Sequence, residues 1–157
     1  MTREEIFMQE AIALSQNGIA NNEGGPFGCV VVKDDKIIGR GNNKVTSTND
    51  PTAHAEVVAI RDACKTLGTF QLNNCEIYTS CEPCPMCLGA IYWARPKIIY
   101  FANNRADAAD IGFDDSMIYD EMKAGIHERK IPIKSLSRDE ALKVFNEWRI
   151  KGDKTLY

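Results

Sequence analysis

The sequence predicts an α/β fold, and three observations lead there. Short Val- and Ile-rich runs alternate with longer stretches of helical period, the order that builds a domain of layered sheet and helices. The runs are punctuated by Gly, Pro, Asn and Asp clusters, with no linker, low-complexity tract or repeat between them. A chain of 157 residues, 44% of them hydrophobic, is also long enough for one domain around one buried core. We therefore read residues 1–157 as a single domain with a variable C-terminal third.

Each element has its own signal. Thr2-Arg3-Glu4-Glu5 fits a capping box, in which a hydroxyl and a carboxylate satisfy free amides at a helix start. Ile6, Phe7, Ala11, Ile12 and Leu14 follow at helical spacing, and Gly18 is the expected stop. Gly24-Gly25-Pro26-Phe27-Gly28 reads as a tight loop. Cys29 to Lys33 reads as a strand, Asp34-Asp35 as a turn and Lys36 to Arg40 as the return strand of a hairpin. Thr46 to Pro51 is a polar loop, and Pro51 disfavours helix in the residue before it. A helix is expected from about His54 to Leu67, ended by Gly68.

Glu76 to Thr79 predicts a short strand, and a helix begins near Pro83 and ends before Pro96. Lys97 to Phe101 is another strand, and Ala106 to Asp110 a helical turn. From Phe113 to Glu128 no pattern stands out. Ile131 to Ile133 reads as a strand. Asp139 to Ile150 carries Ala141, Leu142, Val144, Phe145 and Trp148 at the spacing of a final amphipathic helix.

Composition limits the function classes. Charged residues make up 26% and the formal net charge is -3. This balance argues against a large phosphate-binding surface, so nucleic acid is not the expected partner. The N-terminus has no secretory pattern, and no apolar run is long enough to cross a bilayer. A cytoplasmic, reducing location is expected, where clustered cysteines bind metal or do redox work more often than they form bridges.

The chemistry is concentrated in His54-Ala55-Glu56 and Pro83-Cys84-Pro85-Met86-Cys87. One imidazole and two thiolates make three zinc ligands and leave a fourth position for water, as in catalytic rather than structural sites. Zinc lowers the pKa of a bound water from about 15.7 towards 7. Glu56 is placed to take the water's proton and pass it to a ring nitrogen and a leaving amine. Residues two apart on a helix point to nearly opposite sides, so His54 and Glu56 share a site only at or just before a helix start. Cys84 and Cys87 lie on one helical face, and Pro83 and Pro85 suit a helix start. Thiolates there gain from free backbone N–H groups and the helix dipole.

Two rival readings use the same residues. Cys81 falls at the same spacing as Cys84 and Cys87, and with His54 the three would close a structural, four-ligand site that leaves Glu56 unexplained. A thioredoxin-like redox pair of Cys84 and Cys87 explains neither His54 nor Glu56. Cys29, Cys64 and Cys75 read as buried small hydrophobes, His127 as a solvated loop residue, and Lys143, Arg149, Lys151 and Lys154 as a solvated helix face.

The pair of motifs matches the H-x-E … P-C-x-x-C signature of zinc deaminases. The sequence resembles the cytidine-deaminase-like superfamily over most of its length. Within it, the sequence looks like the short bacterial guanine deaminases in Gly24 to Gly28, Asn42-Asn43, Asn49 to Glu56, Tyr78 to Pro96 and Gly112 to Ser116. The resemblance implies a three-layer α/β/α sandwich with a mixed sheet of about five strands and one zinc ion per subunit. It also implies hydrolysis of guanine to xanthine and ammonia, with hydroxide attacking C2 and Glu56 serving N3 and the leaving amine. Asp115 would accept from a ring N–H or the amino group. Asn43, able to donate and accept, would face the opposite purine edge, and the Ala55 N–H would also hold substrate. Phe27 and Trp93 would stack or pack against the base.

The resemblance further implies a homodimer in which the segment from about 130 to 157 is exchanged with the partner, so that Tyr157 closes the neighbouring pocket. Plainer readings stand beside these. Phe27 also fits a core, Trp93 a core or a dimer interface, Asp114-Asp115 and Asn43 a turn, and Tyr157 a frayed end. A tRNA adenosine deaminase shares the zinc machinery but calls for a basic surface. Related amino-heterocycle deaminases and a non-catalytic zinc module are the remaining alternatives.

Overall fold

A computed structural model describes all 157 residues, in two compact units, Met1–Asp115 and Ser116–Tyr157. The first unit contains α1 (Arg3–Ala20), β1 (Gly28–Lys33), β2 (Lys36–Asn42), α2 (Val45–Thr48), α3 (Ala55–Leu67), β3 (Glu76–Cys81), α4 (Pro85–Ala94), β4 (Ile98–Asn103) and α5 (Arg105–Asp110). The second contains α6 (Ser116–Lys123) and α7 (Arg138–Ile150).

The four strands form one mixed sheet in the order β2-β1-β3-β4. β1 is antiparallel to both neighbours, while β3 and β4 are parallel. A parallel pair needs a long crossover, and α4 supplies it. Side chains alternate across the sheet, so each face has its own core. Cys29, Val31 and Ile77 pack with Ala55, Ala59, Ala63, Ile91 and Ala94 of α3 and α4. Val30, Val32 and Tyr78 pack with Phe7 and Ala11 of α1. The result is the expected α/β/α layering. Each fully buried Val or Ile contributes roughly 1.5–3 kcal/mol relative to exposure, and every residue of β3 is buried.

α1 starts with the expected capping box, Thr2 accepting from the Glu5 N–H and Glu5 from that of Thr2. Its first turn is fastened to the sheet by a buried carboxylate. Glu76, the first residue of β3, accepts from Arg3 at 2.8 Å, from the Tyr78 hydroxyl at 2.6 Å and from Lys97 at 2.9 Å. Burial pushes this carboxyl up, but the three hydrogen bonds outweigh burial and hold it at about 2. Arg3 also pairs with Asp35, in a turn whose two residues both have positive φ, as a tight hairpin requires.

Several expectations need correction. Gly18 does not stop α1, which continues to Ala20; a Cβ at Gly18 would lie 2.8 Å from Asn42 Nδ2, so the glycine serves a close approach. The polar loop from Thr46 contains the single helical turn α2, held by Ser47 and Thr48 hydroxyls donating to the Lys44 carbonyl. The sheet has four strands, not five. The expected strand from Ile131 to Ile133 is irregular, because Pro132 lacks the N–H that a ladder needs and Ile131 is 80% exposed. α6 occupies part of the stretch that showed no pattern.

Two glycines position the site. A Cβ on Gly41 would come within 2.3 Å of the Ala55 carbonyl oxygen, and one on Gly39 within 2.5 Å of that of Ala59. Their absence lets the start of α3 lie directly on β2.

Candidate active site

Two helix starts converge. His54 is the N-cap of α3, with extended backbone, and Ala55 and Glu56 form the first turn. Cys84 is the N-cap of α4, followed by Pro85 at its first position, and Cys87 is buried one turn on. An N-cap lies outside the helical repeat, so the imidazole and the Glu56 carboxylate escape the opposite-face geometry of a regular i, i+2 pair. His54 Nδ1 is 3.5 Å from Cys84 Sγ and 3.5 Å from Cys87 Sγ, and the three donor atoms lie within 4.8 Å of one another.

This donor set fits zinc. Zinc bonds of about 2.0 Å to nitrogen and 2.3 Å to sulfur at tetrahedral angles separate N from S by roughly 3.5 Å. The hydrogen bond from Cys87 draws the Cys84 thiol down to about 4, against burial and with help from His54. The same bond and burial hold the Cys87 thiol far above its ordinary value. Metal binding takes both cysteines in the thiolate form, so an ion here would displace the proton that the two sulfurs share. Cys81 takes no part: its Sγ faces the Asn104 carbonyl at 3.8 Å, and the cluster consists of His54, Cys84 and Cys87 alone. Three protein donors leave a tetrahedral position open, as in catalytic zinc sites.

Glu56 is 6% exposed. Burial raises its pKa, although its own backbone N–H and Cys87 pull the other way. A buried carboxyl tuned upward suits proton transfer near neutral pH. Its Oε1 accepts from the Thr79 hydroxyl at 3.2 Å.

The other candidates fall in different places. Asn43 is buried, and its Oδ1 accepts from the N–H groups of Gly25 (3.2 Å) and Val45 (3.1 Å). With its carbonyl so engaged, it offers a ligand its amide N–H rather than both functions. Phe27 is half-buried against the α3/α4 core and meets Phe113 edge-on at 4.9 Å. This contact joins the Gly24–Gly28 loop to the stretch that carries Asp115. Ala55 is fully buried at the start of α3. Trp93 is 63% exposed, at the far end of α4 from the ligands. Tyr157 is exposed in the second unit.

Sequence reasoning missed Arg105. Its Nε–H donates to Asp115 at 3.1 Å while its backbone N–H donates to Glu82. Only the ordinary fact of an arginine ten residues before an aspartate was visible. Cys29, Cys64 and Cys75 are unpaired, Cys29 and Cys75 buried and Cys64 partly so, and His127 is exposed in a turn.

An α/β/α sheet with a His/Cys/Cys site and an adjacent buried glutamate defines a zinc-dependent deaminase domain. Residues 1–103 match the cytidine and deoxycytidylate deaminase zinc-binding region, and the chain belongs to that family. The guanine deaminase of Bacillus subtilis is 54% identical over 153 residues, 98% of each chain. The X-ray structure of guanine deaminase from Bacillus subtilis superposes with a TM-score of 0.95 over 98% of both chains. A guanine deaminase structure from Nitrosomonas europaea matches at 31% identity, with a TM-score of 0.67 over 92% of this chain and 84% of that one. A tRNA-specific adenosine deaminase of Streptococcus pyogenes is 41% identical over 106 residues, 67% of this chain and 66% of that protein.

Proposed function

We propose that this chain hydrolyses guanine to xanthine and ammonia. The observation that carries the substrate is the extent of the likeness to Bacillus subtilis guanine deaminase. That likeness reaches 98% of the chain, whereas the tRNA adenosine deaminase match leaves a third of it uncovered. The net charge of -3 agrees with a small base rather than an RNA backbone.

His54, Cys84 and Cys87 hold zinc, which when bound supplies the Lewis acidity that makes water a nucleophile at neutral pH. Glu56 carries two protons in turn, the first from the attacking water to N3 and the second from the new C2 hydroxyl to the departing amine, so one water is consumed, one ammonia is released and xanthine keeps its N3–H and C2 carbonyl. Asn43 donates its amide N–H to an acceptor on the purine; guanine O6 and N7 are both acceptors. Asp115, an acceptor when ionised, takes a hydrogen bond from a ring N–H or the amino group, with Arg105 behind it. The Ala55 N–H holds substrate, and Phe27 covers the base.

The working form in this reading is a homodimer, with residues from about 130 to 157 exchanged and Tyr157 closing the partner's pocket. Two features support it. No residue after Ala94 is buried, and α7 exposes Val144, Phe145 and Trp148. A hydrodynamic mass of one chain, 17.5 kDa, would contradict it. We place the protein in the cytoplasm, where its six unpaired cysteines stay reduced.

Glu56→Gln tests the chemistry. It removes the proton carrier and leaves the donors in place, so zinc content holds while turnover of guanine falls by about 10²–10⁴-fold. Full rate in the variant ends the role of Glu56.

A further inference from the structure

We infer that Thr79 is a positioning residue for the proton shuttle, its hydroxyl holding one oxygen of Glu56 so that the other exchanges the proton. The inference rests on the reading of Glu56 as the group that serves water, N3 and the leaving amine.

Thr79 lies in the middle of β3, the one strand buried along its whole length, paired with Cys29 on β1 and Phe101 on β4. It shares a sheet face with Ile77, which packs against α3 and α4. Thr79 is 1% exposed. A valine has the same shape and an equal preference for strand, so strand packing alone does not call for a hydroxyl here. A buried hydroxyl costs free energy unless it is hydrogen-bonded, and this one donates to Glu56 Oε1 at 3.2 Å across 23 residues of sequence.

The bond matters because of what a shuttle must do. A glutamate has three rotatable torsions, and fixing a long side chain costs rotamer entropy. Glu56 must nevertheless keep a constant position while it accepts a proton at one atom and returns it at another. A donor behind one oxygen supplies that constraint. A carboxylate only accepts, so the threonine hydroxyl is matched to its ionised form, and it fixes Oε1 alongside the Glu56 backbone N–H and Cys87, which also reach this carboxyl. Thr79 itself touches neither substrate nor the donors His54, Cys84 and Cys87 in this scheme.

The test compares Thr79→Val and Thr79→Ser with wild type in the zinc-loaded full chain. It measures kcat and KM for guanine, zinc per chain and thermal midpoint. We expect Thr79→Val to lose about tenfold or more in kcat, the scale of one hydrogen bond to a charged group. KM and zinc content should hold, and Thr79→Ser, which keeps the hydroxyl, should stay within about threefold of wild type. Placed on Glu56→Gln, the valine change should add little, because the two act as a unit. Three results overturn the role: equal kcat in wild type and Thr79→Val, equal loss in the serine and valine variants, or a valine defect that tracks lost zinc or lost folding. A wild-type protein that turns over guanine beside an unimpaired Thr79→Val sinks this inference alone. A wild-type protein inert towards guanine sinks the substrate reading and this role with it.

Discussion

Cys81, Cys84 and Cys87 are chemically alike and evenly spaced, yet only two of them face His54. The difference lies in where each falls in local structure. Cys84 caps α4 and Cys87 follows one turn later on the same face, whereas Cys81 ends β3 and turns towards the Asn104 carbonyl. Zinc content is therefore expected to separate them. Cys84→Ser and Cys87→Ser should lose most bound zinc, since two donors hold it far less well than three. Cys81→Ser should keep about one zinc per chain, because a residue outside the shell carries none of the binding. Atomic absorption on the purified variants checks this, and loss of zinc in Cys81→Ser would restore the closed four-ligand site.

At the scale of elements, the buried Glu76 joins α1, β3 and the segment before β4 through Arg3, Tyr78 and Lys97. Its folded pKa lies near 2, below the ordinary carboxylate value of about 4.3. A depressed carboxylate adds stability above its unfolded pKa and loses it as pH falls through the folded one. The contribution is thus full near pH 6 and fades between about 4.3 and 2. Glu76→Gln should be less stable than wild type at neutral pH, with the gap closing across that acid window. Chemical denaturation at a series of pH values measures it, and a gap that stays constant down to pH 2 would remove the ion-pair account.

The same scale explains what was legible in advance. α1, the β1–β2 hairpin, α3, α4 and α7 announce themselves through local signals: a capping box, paired aspartates, Gly68 after the last helical turn, a proline at a helix start, an apolar period. The zinc donors were legible because metal ligation restricts residue type and spacing together. Thr79 and Arg105 were not, since a threonine in a strand and an arginine on a helix are ordinary until the fold brings them to Glu56 and Asp115. Nor was it legible that two backbone amides occupy the Asn43 carbonyl. α6 lacked a signal because its 8 residues fall short of the window of about 11–18 residues over which a helical period stands out.

For the whole molecule, buried residues end at Ala94, and everything that builds the metal cluster lies before that point. The residues that follow carry Asp115, α7 and Tyr157. The metal cluster thus belongs to one stretch of the chain, whereas the substrate contacts proposed above, Asn43 and Asp115, come from both sides of that point. Product analysis tests the substrate reading most directly: zinc-loaded protein is mixed in parallel with guanine, adenine, cytosine, their nucleosides and tRNA. The account predicts xanthine and ammonia from guanine, with no comparable turnover of the others. Zinc-replete protein that leaves guanine unchanged while converting adenosine in tRNA to inosine would contradict it.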